Sequence, residues 1–153
     1  MYLKERYVME ENIKELNEFL CDLEVMTVKT QNFHWNIQGK EFFVLHAKLE
    51  EYYDELREQI DEIAELIETK GFQPLGTMKN FLENSKIKEA NNEKIKSSEI
   101  LSELIKDFTI LCQKASVIKQ NAEKESDYVT SSIIDEYLKD YTKKLWMLNE
   151  CSK

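Results

Sequence analysis

The sequence predicts an all-α protein, a four-helix bundle with a short extra helix between the second and third long helices. Three observations carry that expectation. Only three glycines and one proline punctuate 153 residues, too few for the turns of a sheet-rich chain. One third of the residues are charged and 42% hydrophobic, with Leu, Ile, Lys and Glu abundant. Apolar residues also recur at alternating spacings of three and four over four long stretches, the rhythm of helices that turn one face to a core. The length fits one domain, 1–153, able to bury about two thirds of the unfolded chain's surface. No apolar run approaches the roughly 20 residues that span a bilayer. Met1 to Leu20 lacks the apolar core of a signal peptide, so the expected location is the cytoplasm.

The first helix is expected over about 10–36, where Ile13, Leu16, Leu20, Leu23 and Thr27 form the stripe and Gly39 breaks the pattern. The second runs over about 42–70. It ends at Lys70-Gly71, a cation in the last turn followed by a glycine suited to the residue after the cap, with Pro74 just beyond. Thr77 is placed to cap a short helix over about 78–84. The polar stretch through Asn92 carries no pattern. The third long helix, about 98–124, turns Leu101, Leu104, Phe108, Leu111, Ala115 and Ile118 inward. The fourth, about 126–150, does the same with Ile134, Leu138, Tyr141, Leu145 and Leu148. No internal repeat or low-complexity segment is visible. Cys21, Cys112 and Cys151 are an odd number without CxxC spacing, which supports neither a zinc knuckle nor a disulfide framework. Reduced thiols are expected, with Cys21 and Cys112 as small core residues.

Chemistry concentrates between His34 and Glu65. Both histidines of the chain, His34 and His46, lie here, with Glu50 four after His46, and Asp61 followed four later by Glu65. Imidazole and carboxylate are the donors that Fe(II), Mn(II) or Zn(II) accepts. With 100° of rotation per residue, Leu45, Leu49, Tyr52, Leu56, Ile60, Ile63 and Ile67 fall within an arc of about 80°. His46, Glu50, Asp61 and Glu65 form a second arc centred roughly 130° away, so these donors point away from the chain's own core. At 1.5 Å of rise per residue, His46 and Asp61 are about 22 Å apart along the axis. Metal–ligand bonds are about 2 Å long, so one copy of the helix cannot close a site from both ends.

Two copies can. The pairs 46/65 and 50/61 share the midpoint 55.5. An antiparallel copy related by a two-fold axis near Glu55 and Leu56 would set His46 and Glu50 of one chain level with Glu65 and Asp61 of the other, making two equivalent sites. Asp54 and Arg57 share the midpoint, which suggests reciprocal ion pairs across the axis. Taken singly these features are ordinary. Acids four apart are what any solvated helix face supplies, and His34, on the core stripe of the first helix, reads on its own as a hydrogen-bonded core histidine. A di-metal centre inside the bundle is excluded, because it needs Glu-x-x-His on two helices. Here Gln31 and Phe43 stand three before the histidines, and none follows position 46.

The run NFHWNIQGKEFFVLHAKLEEYYDELREQIDEIAELIETKGFQPLGTM, with a C-terminal KKLWML, resembles the signature of the Dps family, small ferritin-like proteins that oxidise and store iron. The resemblance covers essentially the whole chain. It implies a ferritin-like bundle, assembly into a dodecamer from two-fold dimers, and a metal site at the two-fold interface with His34, His46, Glu50, Asp61 and Glu65 as ligands. Trp35, which otherwise reads as core packing, would be the aromatic neighbour that takes up oxidising equivalents. In that family Glu123, Glu125 and Asp127 would fall near three-fold pores, although Ser131 and Ser132 stand where some members carry a further acid. Otherwise such a run is a solvated turn.

The expected function is therefore oxidation of Fe(II), with hydrogen peroxide preferred and dioxygen slower, and storage of Fe(III) as mineral. Zn(II) or Mn(II) are the alternative metals, since affinity alone ranks Zn(II) above Fe(II). A structural or interaction particle that compacts DNA and carries a vestigial metal site is the alternative function. A net charge of −9 argues against nucleic-acid binding, and the N-terminal lead sets Lys4 and Arg6 against Glu5, Glu10 and Glu11. No appreciable DNA binding is expected at physiological salt, nor any membrane association.

Overall fold

The computed structural model describes residues 2–153, with side chains from residue 10 onward. Helix α1 (Tyr2–Asn36) leads through the two-residue strand β1 (Ile37–Gln38) to α2 (Phe42–Thr69). The short α3 (Met78–Asn84) and strand β2 (Ile95–Lys96) precede α4 (Ser97–Lys124) and α5 (Tyr128–Cys151). The chain is thus an all-α bundle of two helical hairpins, α1/α2 and α4/α5, with the extra short helix in the crossover and lying against α1. Helix α1 starts eight residues before the expected position.

The core is the one the spacings describe. Leu16, Leu20 and Leu23 of α1, Leu49, Leu56, Ile63 and Ile67 of α2, Leu104, Phe108, Leu111 and Ile118 of α4, and Ile134, Tyr141 and Leu148 of α5 are all buried. Each such side chain contributes about 1.5–3 kcal/mol by leaving water. Ile60, Leu101, Leu138 and Leu145 pack only partly against this core, at the edges of their stripes. Cys21 is buried, Cys112 half-buried and Cys151 exposed, all as free thiols. Burial, reinforced by Asp22, Glu24 and Glu18, pushes the Cys21 thiol up to about 12, which suits a packing residue and not a reactive one.

Local signals set the helix ends. At the end of α2 the Gly71 N–H donates to Glu68 O (2.9 Å) and the Phe72 N–H to Ile67 O (3.3 Å), a Schellman closure that needs the positive φ of 83° that Gly71 supplies. Thr77 caps α3 by accepting the Asn80 N–H at 3.1 Å. The last helix starts two residues later than expected. Ser126 adopts φ 56° in the turn, and Asp127 caps α5 by accepting the Thr130 N–H at 3.2 Å.

Polar anchors fix the crossover. The Asp22 carboxylate of α1 accepts the Ser85 hydroxyl (2.9 Å) and the Lys86 N–H (2.7 Å), while Asn17 Oδ1 accepts the Leu75 N–H (2.8 Å). Strands β1 and β2 pair in parallel, Ile37 with Ile95 and Gln38 with Lys96. The Ser97 hydroxyl donates to Glu41 at 3.1 Å. These bonds tie the α1–α2 turn to the start of α4, holding still the turn that carries the histidines on either side of it.

Candidate metal centre

His34 ends the buried stripe of α1, and His46 lies in the second turn of α2. The intervening turn, opened at Gly39 (φ 118°), folds the two helices back so that the imidazoles stack with centroids 3.7 Å apart and planes 14° apart. Each ring holds the other's backbone. His34 Nδ1 lies 2.5 Å from His46 O, and His46 Nδ1 lies 2.8 Å from His34 O. A carbonyl oxygen only accepts, so both Nδ1 atoms carry their hydrogens, and in the neutral form of each ring Nε2 is the lone-pair nitrogen. Among the described residues neither Nε2 takes up a hydrogen bond. Backbone atoms thus decide which ring nitrogen, Nε2, is left to a ligand.

His34 is buried and His46 half-buried. His34 is hydrogen-bonded inside the fold, as its reading as a core histidine expects, and it still keeps one nitrogen free for coordination. Further aromatic groups surround the pair. Tyr53 meets His34 edge-to-face at 5.4 Å, and Phe42 stacks on His46 at 4.8 Å. Sequence reasoning missed both, although Phe42 stands four before His46, the spacing at which helical side chains meet. Trp35 is exposed at 61% and so is not core packing in the protomer.

Glu50, Asp61 and Glu65 are exposed on the outer face of α2, and none of the three takes a hydrogen bond or ion pair among the described residues. Within one protomer the described residues bring no three His, Cys, Asp or Glu side chains together as a metal cage. The imidazoles therefore sit at one end of the α2 face and Asp61 and Glu65 at the other. Between them Arg57 donates to Asp54 of its own chain at 3.3 Å and lies 4.7 Å from the Tyr53 ring centre.

The acids of the α4–α5 turn differ in circumstance. Glu123 pairs with Lys119 at 3.0 Å and Glu125 is exposed. Asp127 is engaged by the Lys70 ammonium, by the Thr130 hydroxyl at 2.6 Å and by the Thr130 N–H. Burial acts to raise its carboxyl, but these donors together hold it below the ordinary aspartate range. Asp127 is thus a structural cap and ion-pair partner, not the free acid its place in the sequence suggests.

No helix of the described residues is long and apolar enough to cross a membrane. The family model of the ferritin-like domain matches residues 13–152. A relative from Helicobacter pylori strain J99, named DNA protection during starvation protein, is 33% identical over 133 residues, 87% of this chain and 92% of the relative. Antigen TpF1 from Treponema pallidum superposes with a TM-score of 0.94 at 33% identity, covering 96% of this chain and 94% of that one. The Dps protein from Vibrio cholerae O1, described as a member of a broad superfamily of ferritin-like diiron-carboxylate proteins, gives 0.92 at 35% identity and covers 96% and 92%. With the family match over nearly its whole length, and neighbours of this similarity, the chain belongs to the ferritin-like proteins and, among them, to the Dps family.

Proposed function

We propose that this protein stores iron and protects against its redox chemistry by acting as a ferroxidase at a two-fold interface between protomers. His34, His46 and Glu50 of one protomer and Asp61 and Glu65 of another would hold Fe(II) as substrate. The observation that carries this reading is the reciprocal clasp of His34 and His46, which leaves two adjacent imidazoles with Nε2 as the free donor. It is supported by three exposed acids, Glu50, Asp61 and Glu65, that no group among the described residues neutralises.

Anionic oxygen donors favour the higher charge, so the mixed set stabilises Fe(III) over Fe(II) and makes oxidation favourable at the site. In the preferred reaction two Fe(II) each give up one electron, and the O–O bond of hydrogen peroxide is cleaved with uptake of two protons to give two waters. Dioxygen would act more slowly. The exposed Trp35, next to His34 in the chain, would give up an electron when a single Fe(II) cannot complete the two-electron reduction. Ferric product would pass to a mineral inside a twelve-subunit shell. A groove between α2 and α5 lined by Glu55, Glu58, Glu62, Glu136 and Asp140, of which Glu55 and Asp140 pair with Lys144, would carry a net negative potential that draws cations.

Anaerobic Fe(II) mixed with the protein and then with peroxide should give a fast rise in ferric absorbance. The rise should be lost in the double variant His46→Ala, Asp61→Ala. A wild type with no catalysed phase, or a double variant as fast as wild type, sinks the enzyme reading. Protection is expected to come from removing iron and peroxide, not from coating DNA. At a net charge of −9, plasmid should run unretarded with this protein at about 0.15 M salt.

A further inference from the structure

We infer that Phe42 is a positioning residue for His46, setting the plane of the imidazole and hence the direction of its free nitrogen. This rests on the reading of His46 as a metal ligand. The Phe42 ring lies 18° from parallel to His46 at a centroid distance of 4.8 Å, and His34 lies 14° from parallel at 3.7 Å. Two near-parallel rings cannot share one face of an imidazole at those distances, so His46 is held between them.

The hydrogen bond from His46 Nδ1 to His34 O fixes one point of the ring. A ring pinned at one point can still tilt. The flat faces of Phe42 and His34 remove that freedom, and the Nε2 lone pair lies in the ring plane, so the stack aims it. A ligand site tolerates about 10–20° of misorientation before it weakens. Phe42 is suited to the role by its own restraint. As the first residue of α2 it is half-buried against the core, and its ring stands at 80° to that of the exposed Phe43 with centroids 5.6 Å apart.

Co(II) is the probe, titrated anaerobically into the assembled protein and followed by its visible d–d absorption. Phe42→Leu keeps apolar volume and removes the flat face; Phe42→Tyr keeps the face. Co(II) binding should weaken by about tenfold in Phe42→Leu, with a changed d–d spectrum, and stay within about twofold of wild type in Phe42→Tyr. Melting temperature and sedimentation of the metal-free protein should match wild type in both. If Phe42→Leu does not assemble, Phe42→Met carries the same expectation. Wild-type affinity and spectrum in the leucine variant, or equal loss in the tyrosine variant, overturns the role of Phe42 alone. A wild type that shows no Co(II) spectrum, or a His46→Ala variant that keeps it, overturns the metal-site reading together with this one.

Discussion

Lys29 on α1 and Asp107 on α4 form an ion pair inside the bundle, with Nζ 2.8 Å from Oδ2 and the two side chains only 2% and 1% exposed. The approach is close as an ion pair and poorly aligned as a hydrogen bond, for neither Asp107 oxygen has a hydrogen-bond partner of good geometry. Lys29 also donates to the more exposed Glu103 at 2.7 Å. Burial raises the Asp107 carboxyl, and the Lys29 ammonium opposes the rise. Removing one partner of such a pair costs more than removing both. Lys29→Met should destabilise the protomer by about 3–5 kcal/mol, and adding Asp107→Leu should recover most of the loss. Because an acid whose folded pKa is raised favours the folded state as it protonates, the single variant should regain stability as pH falls toward about 4. Urea unfolding at fixed protomer concentration checks all three expectations. A double variant no more stable than the single one shows that the lost charge pair is not the cause.

Asp127 carries the opposite sign. Its folded carboxyl is held low by Lys70 and Thr130 against burial, so its contribution is present above the ordinary aspartate range near 4 and is lost as pH falls below it. Asp127→Ala removes the cap of α5 and should cost about 1–2 kcal/mol at pH 7. Asp127→Asn keeps a capping oxygen and loses the charge, and so mimics the protonated acid. Its deficit relative to wild type should be clear at pH 7 and smaller at about pH 3, below the ordinary aspartate range. A deficit that is the same at both values means the Lys70 pair contributes nothing.

Much of the fold was legible because helices leave periodic marks. The spacings of Leu45 to Ile67 predicted the buried face of α2, and the Thr77 cap and the Gly71 closure placed their helix ends by local chemistry. What stayed hidden depends on partners far away in sequence. Nothing near Lys29 or Lys114 announces a buried lysine, since Asp107 is supplied by α4 and Glu15 and Glu18 by α1. The pairing of Ile37 with Ile95 is too short to leave an alternation. At the candidate site the spacing marked His46, Glu50, Asp61 and Glu65 as candidate donors on one face, but the stacking of His34 on His46 and the carbonyls that hold their Nδ1 atoms follow from the angle of the α1–α2 turn, which no spacing encodes.

Arg57 tests the two-fold arrangement. In the protomer it pairs with Asp54 of the same helix, both side chains about half exposed, a contact worth under about 1 kcal/mol. The midpoint that Asp54 and Arg57 share with the donor pairs predicts a reciprocal pairing between copies. Arg57→Glu would then set acids against Asp54 twice at the axis and should weaken association by at least about tenfold. Swapping the charges in Asp54→Arg with Arg57→Asp should restore it. Sedimentation velocity over a concentration series reads both. A particle indifferent to Arg57→Glu places the contact elsewhere.

The two histidines should behave as one unit. Each ring is oriented by a carbonyl of the other's residue and by the other's face, so removing either imidazole frees the one that remains. Independent ligands would lose affinity additively, whereas a mutually held pair loses most of it at the first substitution. His34→Ala and His46→Ala are each expected to weaken Co(II) binding by nearly as much as the double variant, with a coupling energy of about 1–3 kcal/mol. Titration of the four proteins closes the cycle, and far-ultraviolet circular dichroism confirms that α1 and α2 persist. Additive losses would mean that each imidazole is held by its own helix, and that the clasp does not preorganise the site.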